Sequence, residues 1–278
     1  MFPLTMKSGL SSLRFGCFTA LVACALTASA ALKPGATSEF VVELPKELRE
    51  LAGGGRAAAV QHALVAVALP KDFDPARAWP IVIINATSDP KYSSSRRLMG
   101  FYAAAANAAG WIALAADPQE KIYPDDDTLQ LRFALVISAL AGLEVQWPAA
   151  AKAPVAFGGF SGGAKHSGWL VAEFAKQGRV PIGVFQAGIN EDTLVSGGRA
   201  FKTLNDAYRR IPVFLLGGKK DEIATPSDHR EVERELKRAG FKNVRLEFFD
   251  GPHAVDPRPL KGALDWFAAE AAKGAATK

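Results

Sequence analysis

Three observations in the 278-residue sequence predict an α/β fold, a mostly parallel central sheet of about eight strands with helices on both faces. Short β-branched or apolar runs recur along the chain, helix-like stretches separate most of them, and glycine, proline and capping residues punctuate the joins. Residues 81–84 and 213–216 are continuously apolar, as strands buried on both faces must be.

The chain opens with Lys7 and Arg14, an uncharged stretch over 15–31, and the small-residue run Ala28-Ser29-Ala30. That order predicts an export signal over residues 1–30, cleaved after Ala30. Its apolar part is shorter than the roughly 20 residues a spanning helix needs. Lys33-Pro34-Gly35 then stops helical continuation. Leu21-Val22-Ala23-Cys24 resembles the bacterial lipobox, so lipidation at Cys24 is the alternative. The expected location is periplasmic or extracellular, with a membrane-anchored lipoprotein as the second possibility. Residues 31–278 are long enough for one domain, and no linker divides them. Both cysteines, Cys17 and Cys24, lie in the leading segment, so a chain beginning at Ala31 has no disulfide, thiolate ligand or cysteine nucleophile.

Within the domain, residues 40–44 and 62–69 read as an antiparallel opening pair joined around Gly53-Gly54-Gly55. Residues 81–84 are the next strand, followed by a helix over 94–109 that Gly110 terminates. Residues 111–115 form a strand, and Asp125-Asp126-Asp127-Thr128 supply the N-cap and first-turn acids of a helix running to about 143. Strands follow at 155–157, 182–186, 213–216 and 244–249. The helix after the first of these spans 164–177, and a crossover helix is expected over 200–210. A closing helix includes 265–272, and 271–278 reads as a frayed tail.

The densest chemical signal is Gly159-Phe160-Ser161-Gly162-Gly163, which follows a strand and precedes a helix. A serine raised on such a turn is a nucleophile elbow. Glycines two residues before and after it let strand and helix pass closely. A serine hydroxyl is a poor nucleophile at neutral pH, so it requires a base and a third group that orients the base. The chain offers Asp221 in the loop after strand 213–216, and His253 in the loop after 244–249. The order Ser161, Asp221, His253 is the order of an elbow-type triad, with each residue beyond the C-terminal end of a strand. Competing groups fit less well. His62 lies within a strand, while His166 and His229 lie on helices. Asp192 is the runner-up acid, and Asp228, Asp250 and Asp256 read as structural.

On Gly159-Phe160-Ser161-Gly162-Gly163, Gly217-Gly218-Lys219-Lys220-Asp221 and Gly251-Pro252-His253, with Trp266-Phe267 in the last helix, the chain resembles the α/β-hydrolase superfamily over essentially its whole length after residue 30. It looks most like compact exported esterases of the dienelactone-hydrolase and polyhydroxyalkanoate-depolymerase-like groups. The resemblance implies an α/β-hydrolase fold with little or no cap, a triad of Ser161, Asp221 and His253, and no cofactor. It implies an ester hydrolase acting on a small-molecule or polymeric ester, and leaves the substrate open. A peptidase or amidase of the prolyl-oligopeptidase-like branch is the second reading, and a catalytically silent binding protein on the same fold is the third.

An oxyanion needs preorganised N–H donors. One is expected at Gly162, the residue after the nucleophile. The second falls in the loop after strand 81–84, where many relatives carry His-Gly and this chain carries Asn85-Ala86-Thr87, so Thr87, or Ala86, is the candidate. Tyr92, Ser93-Ser94-Ser95 and Tyr123 fall at the same edge of the sheet and are tentative substrate contacts. The 25-residue stretch 187–211 must hold its own crossover helix, which leaves no room for a large lid. A net charge of +5 is scattered among acids, which implies neither nucleic acid nor an anionic membrane surface as partner. The phosphate-loop pattern fails at Ala164 and His166, and neither H-E-x-x-H nor a Cys/His cluster is present, so no metal is expected.

Overall fold

The structure, a computed structural model, describes residues 26–29, 32–53 and 57–276. Nine strands form one sheet: β1 (Leu26–Ser29), β2 (Thr37–Glu43), β3 (His62–Ala68), β4 (Ile81–Asn85), β5 (Ile112–Pro118), β6 (Val155–Phe160), β7 (Gly183–Ala187), β8 (Val213–Gly218) and β9 (Val244–Phe249). Their order across the sheet is β1-β2-β3-β5-β4-β6-β7-β8-β9. The first three strands run antiparallel to their neighbours, and every pair from β5–β4 onward is parallel. The expected eight strands are β2 to β9. The ninth, β1, falls inside the expected export signal, whose remaining residues, Cys17 and Cys24 included, lie outside the described ones.

The helices are α1 (Lys46–Leu51), α2 (Ser95–Ala108), α3 (Leu129–Gln146), α4 (Gly162–Lys176), α5 (Leu194–Ala200), α6 (Asp206–Arg209), α7 (Pro226–Arg238) and α8 (Arg258–Ala276). The two-residue period of a strand divides the core between the faces. Ile81, Ile83, Val155, Phe157, Val213 and Leu215 pack toward α3, α4 and α7, while Val82, Ile84, Ala156, Phe214 and Leu216 pack toward α2 and α8. α3 is apolar enough by length and composition to cross a membrane, but its apolar surface is spent on the sheet. Gly142 brings it close, since a Cβ there would stand 2.4 Å from the Val42 side chain.

Several expected elements shift. The link between β2 and β3 holds α1 and a short 3-10 turn at Ala57–Ala59 rather than a turn alone; Gly54 and Gly55 lie outside the described residues. Of the expected run 125–128 only Thr128 caps α3, and the acids precede the helix rather than filling its first turn. Thr128 accepts the Leu131 N–H at 3.0 Å, while Asp127 turns inward to pair with Arg132. β8 runs past the expected 213–216 to take in Gly217 and Gly218. The expected crossover helix is two short ones, α5 and α6, because the chain turns through Lys202 at φ 58°. β9 is a half-exposed edge strand. The last helix continues to Ala276 instead of fraying from 271.

Candidate active site

β6 delivers Ser161 onto the turn into α4 at φ 55° and ψ −124°, one of two non-glycine residues with positive φ among the described residues. Such a conformation costs about 1–3 kcal/mol and persists only where the surroundings over-determine it. They do here. The Ser161 N–H donates to Ala187 O at 2.8 Å, which ties the turn to the end of β7. A Cβ on Gly159 would lie 2.4 Å from the Gly163 carbonyl, and one on Gly163 would lie 1.9 Å from Asn85 O. The glycines are therefore required by backbone packed on backbone.

The acid and base loops leave adjacent strands and are stitched together. Lys219 N–H donates to Phe249 O and Lys220 N–H to Gly251 O, both at 2.9 Å. A Cβ on Gly218 would stand 2.5 Å from the carbonyls of Gly251 and Pro252, so only glycine lets the loops meet. The structure thus brings together the three residues expected from sequence. His253 Nδ1 lies 2.8 Å from Asp221 Oδ2 and its Nε2 lies 3.0 Å from Ser161 Oγ. A carboxylate accepts the Nδ1–H and leaves the Nε2 lone pair to accept the serine O–H. Burial alone works against the Asp221 carboxylate, but the Ala224 N–H, His253 and the Ile223 N–H outweigh it and hold its pKa below the usual value. Phe160 lies against the imidazole with ring centroids 4.7 Å apart.

The remaining candidates sit apart from the triad. His62 pairs with Glu120 at 2.9 Å, and His229 is buried with its Nδ1 3.0 Å from Thr225 O. Asp192 accepts the Val195 and Ser196 N–H groups at the start of α5. Asp228 completes the capping box of α7, Asp250 pairs with Lys220, and Asp256 pairs with Arg258.

Thr87 packs directly on Gly162, where a Cβ would stand 2.4 Å from Thr87 Oγ1. Gly162 is the first residue of α4, so its N–H has no intrahelical acceptor. Ala86 is corrected as the alternative donor: its N–H is committed to Ser95 Oγ at 3.1 Å. Among the described residues no acceptor takes the Thr87 N–H. Beside this loop lies a cavity of about 370 Å³ whose walls include Ser88, Ser93, Arg96, Asp117, Glu120 and Tyr123. Tyr92 does not line it; 59% exposed, its ring lies under the Lys91 ammonium. A second cavity, of about 210 Å³, lies between Pro154, Phe174 and Arg179, toward the opposite end of β6 and away from the chemistry. Among the described residues no three His, Cys, Asp or Glu side chains gather where they could hold a metal ion.

Sequence reasoning missed the buried group behind the loop, formed by Ser95, Asp127, Arg132 and His166. One signal was available: Arg132 is the only charged residue in the run from Leu131 to Leu143, and a buried guanidinium demands partners.

No protein-family model matches the chain, and no curated protein matches it in sequence. Solved structures do match. A lidless α/β serine hydrolase from Xanthomonas campestris is 16% identical with a TM-score of 0.55, over 86% of this chain and 97% of that one. A cold-adapted esterase from an Arctic intertidal metagenomic library is 17% identical at TM-score 0.56, over 88% of this chain and 99% of that one. A putative dipeptidyl aminopeptidase IV from Bacteroides ovatus is 12% identical at TM-score 0.54, over 86% of this chain but only 36% of its own. At these identities the likeness is one of fold.

Proposed function

On the premise that this chain is an α/β-hydrolase by fold, we propose that it is a serine hydrolase, specifically a carboxylic-ester hydrolase that works through an acyl-enzyme. The observation that carries the reading is the 3.0 Å approach of His253 Nε2 to Ser161 Oγ, with Asp221 2.8 Å from the other ring nitrogen. Ser161 Oγ attacks the ester carbonyl carbon as its proton passes to His253 Nε2. The carbonyl oxygen takes the electron pair and becomes an oxyanion facing the Gly162 and Thr87 N–H groups. One such donor is worth about 10²–10³ in kcat. Collapse expels the alcohol, which leaves with the proton from His253. Water, deprotonated by the same nitrogen, then releases the acid and restores Ser161.

A soluble or polymer-borne ester is favoured over a micellar lipid by the open site. The stretch between β7 and β8 folds into α5 and α6, and α5 packs on α4, in the layer of helices flanking the sheet. The cavity beside the oxyanion loop mixes hydroxyl and charged groups with prolines. It suits a soluble or polymer-borne ester with a polar substituent better than a long aliphatic chain. Export is proposed from the residue order of 1–30, and the form released after Ala30 is the one expected to act.

The test is the Ser161→Ala variant. It is expected to abolish hydrolysis of p-nitrophenyl acetate and labelling by a fluorophosphonate, with the melting temperature almost unmoved. Turnover retained by the variant would remove Ser161 from the mechanism. Absence of a Ser161 adduct on the folded parent would favour a silent binding protein.

A further inference from the structure

The loop that ends β4 carries no glycine, yet it must hold one backbone N–H in a fixed direction. Its polar atoms are claimed one by one from three helices. Ser95, at the start of α2, accepts the Ala86 N–H at 3.1 Å. His166, on α4, stands with Nδ1 2.8 Å from Ala86 O, and its Nε2 is 3.4 Å from Ser88 Oγ. Arg132, on α3, donates from Nη2 to Thr87 O at 3.2 Å and from Nη1 to Ser95 Oγ at 2.9 Å. The Thr87 N–H is given no acceptor, and the Thr87 side chain packs on Gly162.

Arg132 is itself fixed. Its Nε and Nη2 lie 2.7 and 2.5 Å from the two carboxylate oxygens of Asp127, and both side chains are almost wholly buried. A two-point pair of this kind holds the guanidinium plane in one orientation. Burying it is unfavourable unless its remaining N–H groups find acceptors, and Ser95 Oγ and Thr87 O supply two. His166 is kept neutral by burial first and by the Arg132 charge second, with Lys165 adding to this and Asp127 and the bond to Ala86 opposing it; its pKa falls to about 4. A neutral ring with its proton on Nδ1 is the form that donates to Ala86 O.

We infer that Arg132 and His166 are positioning residues that hold the Ala86–Thr87 backbone through its two carbonyls and so aim the Thr87 N–H at the oxyanion. The inference rests on the serine-hydrolase reading above. Neither side chain touches the reacting atoms. Their effect is directional, because a displacement of the donor by a fraction of an ångström weakens a hydrogen bond that is made fully only in the transition state.

The test compares the full chain with Arg132→Lys, His166→Phe and His166→Asn, using kcat and KM for p-nitrophenyl acetate and the affinity of phenylboronic acid, which forms a tetrahedral adduct on an active serine. Arg132→Lys keeps a charge for Asp127 but loses the fork that reaches both Ser95 and Thr87. His166→Phe removes the donor to Ala86. Both are expected to lower kcat by about 10- to 100-fold, short of losing a whole oxyanion donor, with KM changing less than about threefold. Boronate affinity should fall in step with kcat/KM. His166→Asn returns an N–H close to the Nδ1 position and should recover most of the loss, which a merely structural residue would not show. Folded variants that keep the parental kcat, or an asparagine variant as impaired as the phenylalanine one, would overturn the inference. Should Arg132→Lys fail to fold, the His166 pair decides alone. A parent with no turnover and no Ser161 phosphonylation would instead bring down the hydrolase reading, so the two failures are distinguishable.

Discussion

At the scale of single residues, the site depends on side chains held in forms that water would not favour. Ser161 is held at positive φ, Asp221 stays ionised below the usual carboxylate range, and His166 stays neutral where a free imidazole would be half charged. The last of these makes a pH prediction with a definite sign. The folded pKa of His166, about 4, lies below its ordinary 6.5, so between those values the unfolded chain binds more protons than the folded one. The stability that comes from burying the neutral ring is complete above about 6.5 and is lost as the pH falls toward 4. Each proton contributes a slope of about 1.4 kcal/mol per pH unit. Urea unfolding of the parent and of His166→Asn, followed from pH 7 to pH 4, is expected to show the parent losing stability more steeply. Parallel curves would mean that His166 is not held neutral. The Asp221 contribution has the same sign but a lower window. It is present above the ordinary aspartate value of 3.8 and is lost below it, so the two effects separate along the pH axis.

At the scale of elements, the decisive contact is between β4, β6 and α4. Three glycines, Gly159, Gly162 and Gly163, let the turn at Ser161 lie directly on the loop after β4, and the same approach places Thr87 beside the residue that follows Ser161. Gly163→Ala is the sharpest probe, because its Cβ would stand 1.9 Å from Asn85 O, a backbone atom that cannot rotate away. Overpacking of this kind costs about 1–3 kcal/mol where side chains give way, and more where backbone must move. The expected outcome is a urea midpoint lowered by at least that amount, together with a fall in kcat as the elbow and the oxyanion loop separate. An unchanged midpoint would show that α4 can slide without consequence. β8 and β9 meet by the same logic through Gly218, which lets the loops carrying Asp221 and His253 share backbone hydrogen bonds.

At the scale of the whole molecule, the antiparallel edge and the parallel remainder have separate tasks. β1 is a four-residue edge strand with an irregular register, whereas Phe40 and Val42 on β2 are buried beneath α3. Loss of residues 1–30 would expose the β2 edge, which carries Glu39 and Glu43, and Glu39 is paired with Arg96 at 2.6 Å. Charged edges of that kind resist strand addition. A chain of residues 31–278 is therefore expected to melt within about 3 °C of the full chain, a difference near 1 kcal/mol, as read by calorimetry. A fall of about 10 °C would make β1 part of the core. The sequence by itself determined the alternating elements, the elbow, and the order of serine, acid and base, because each is written in local periodicity or in residues next to a strand end. It misplaced the acids of α3's first turn and the single crossover helix, since caps and chain reversals depend on what lies opposite. It was silent on the clamp behind Thr87. Ser95, Asp127, Arg132 and His166 come from three different segments, and a buried charge network acquires its meaning only when folding removes water and leaves those groups with one another as partners.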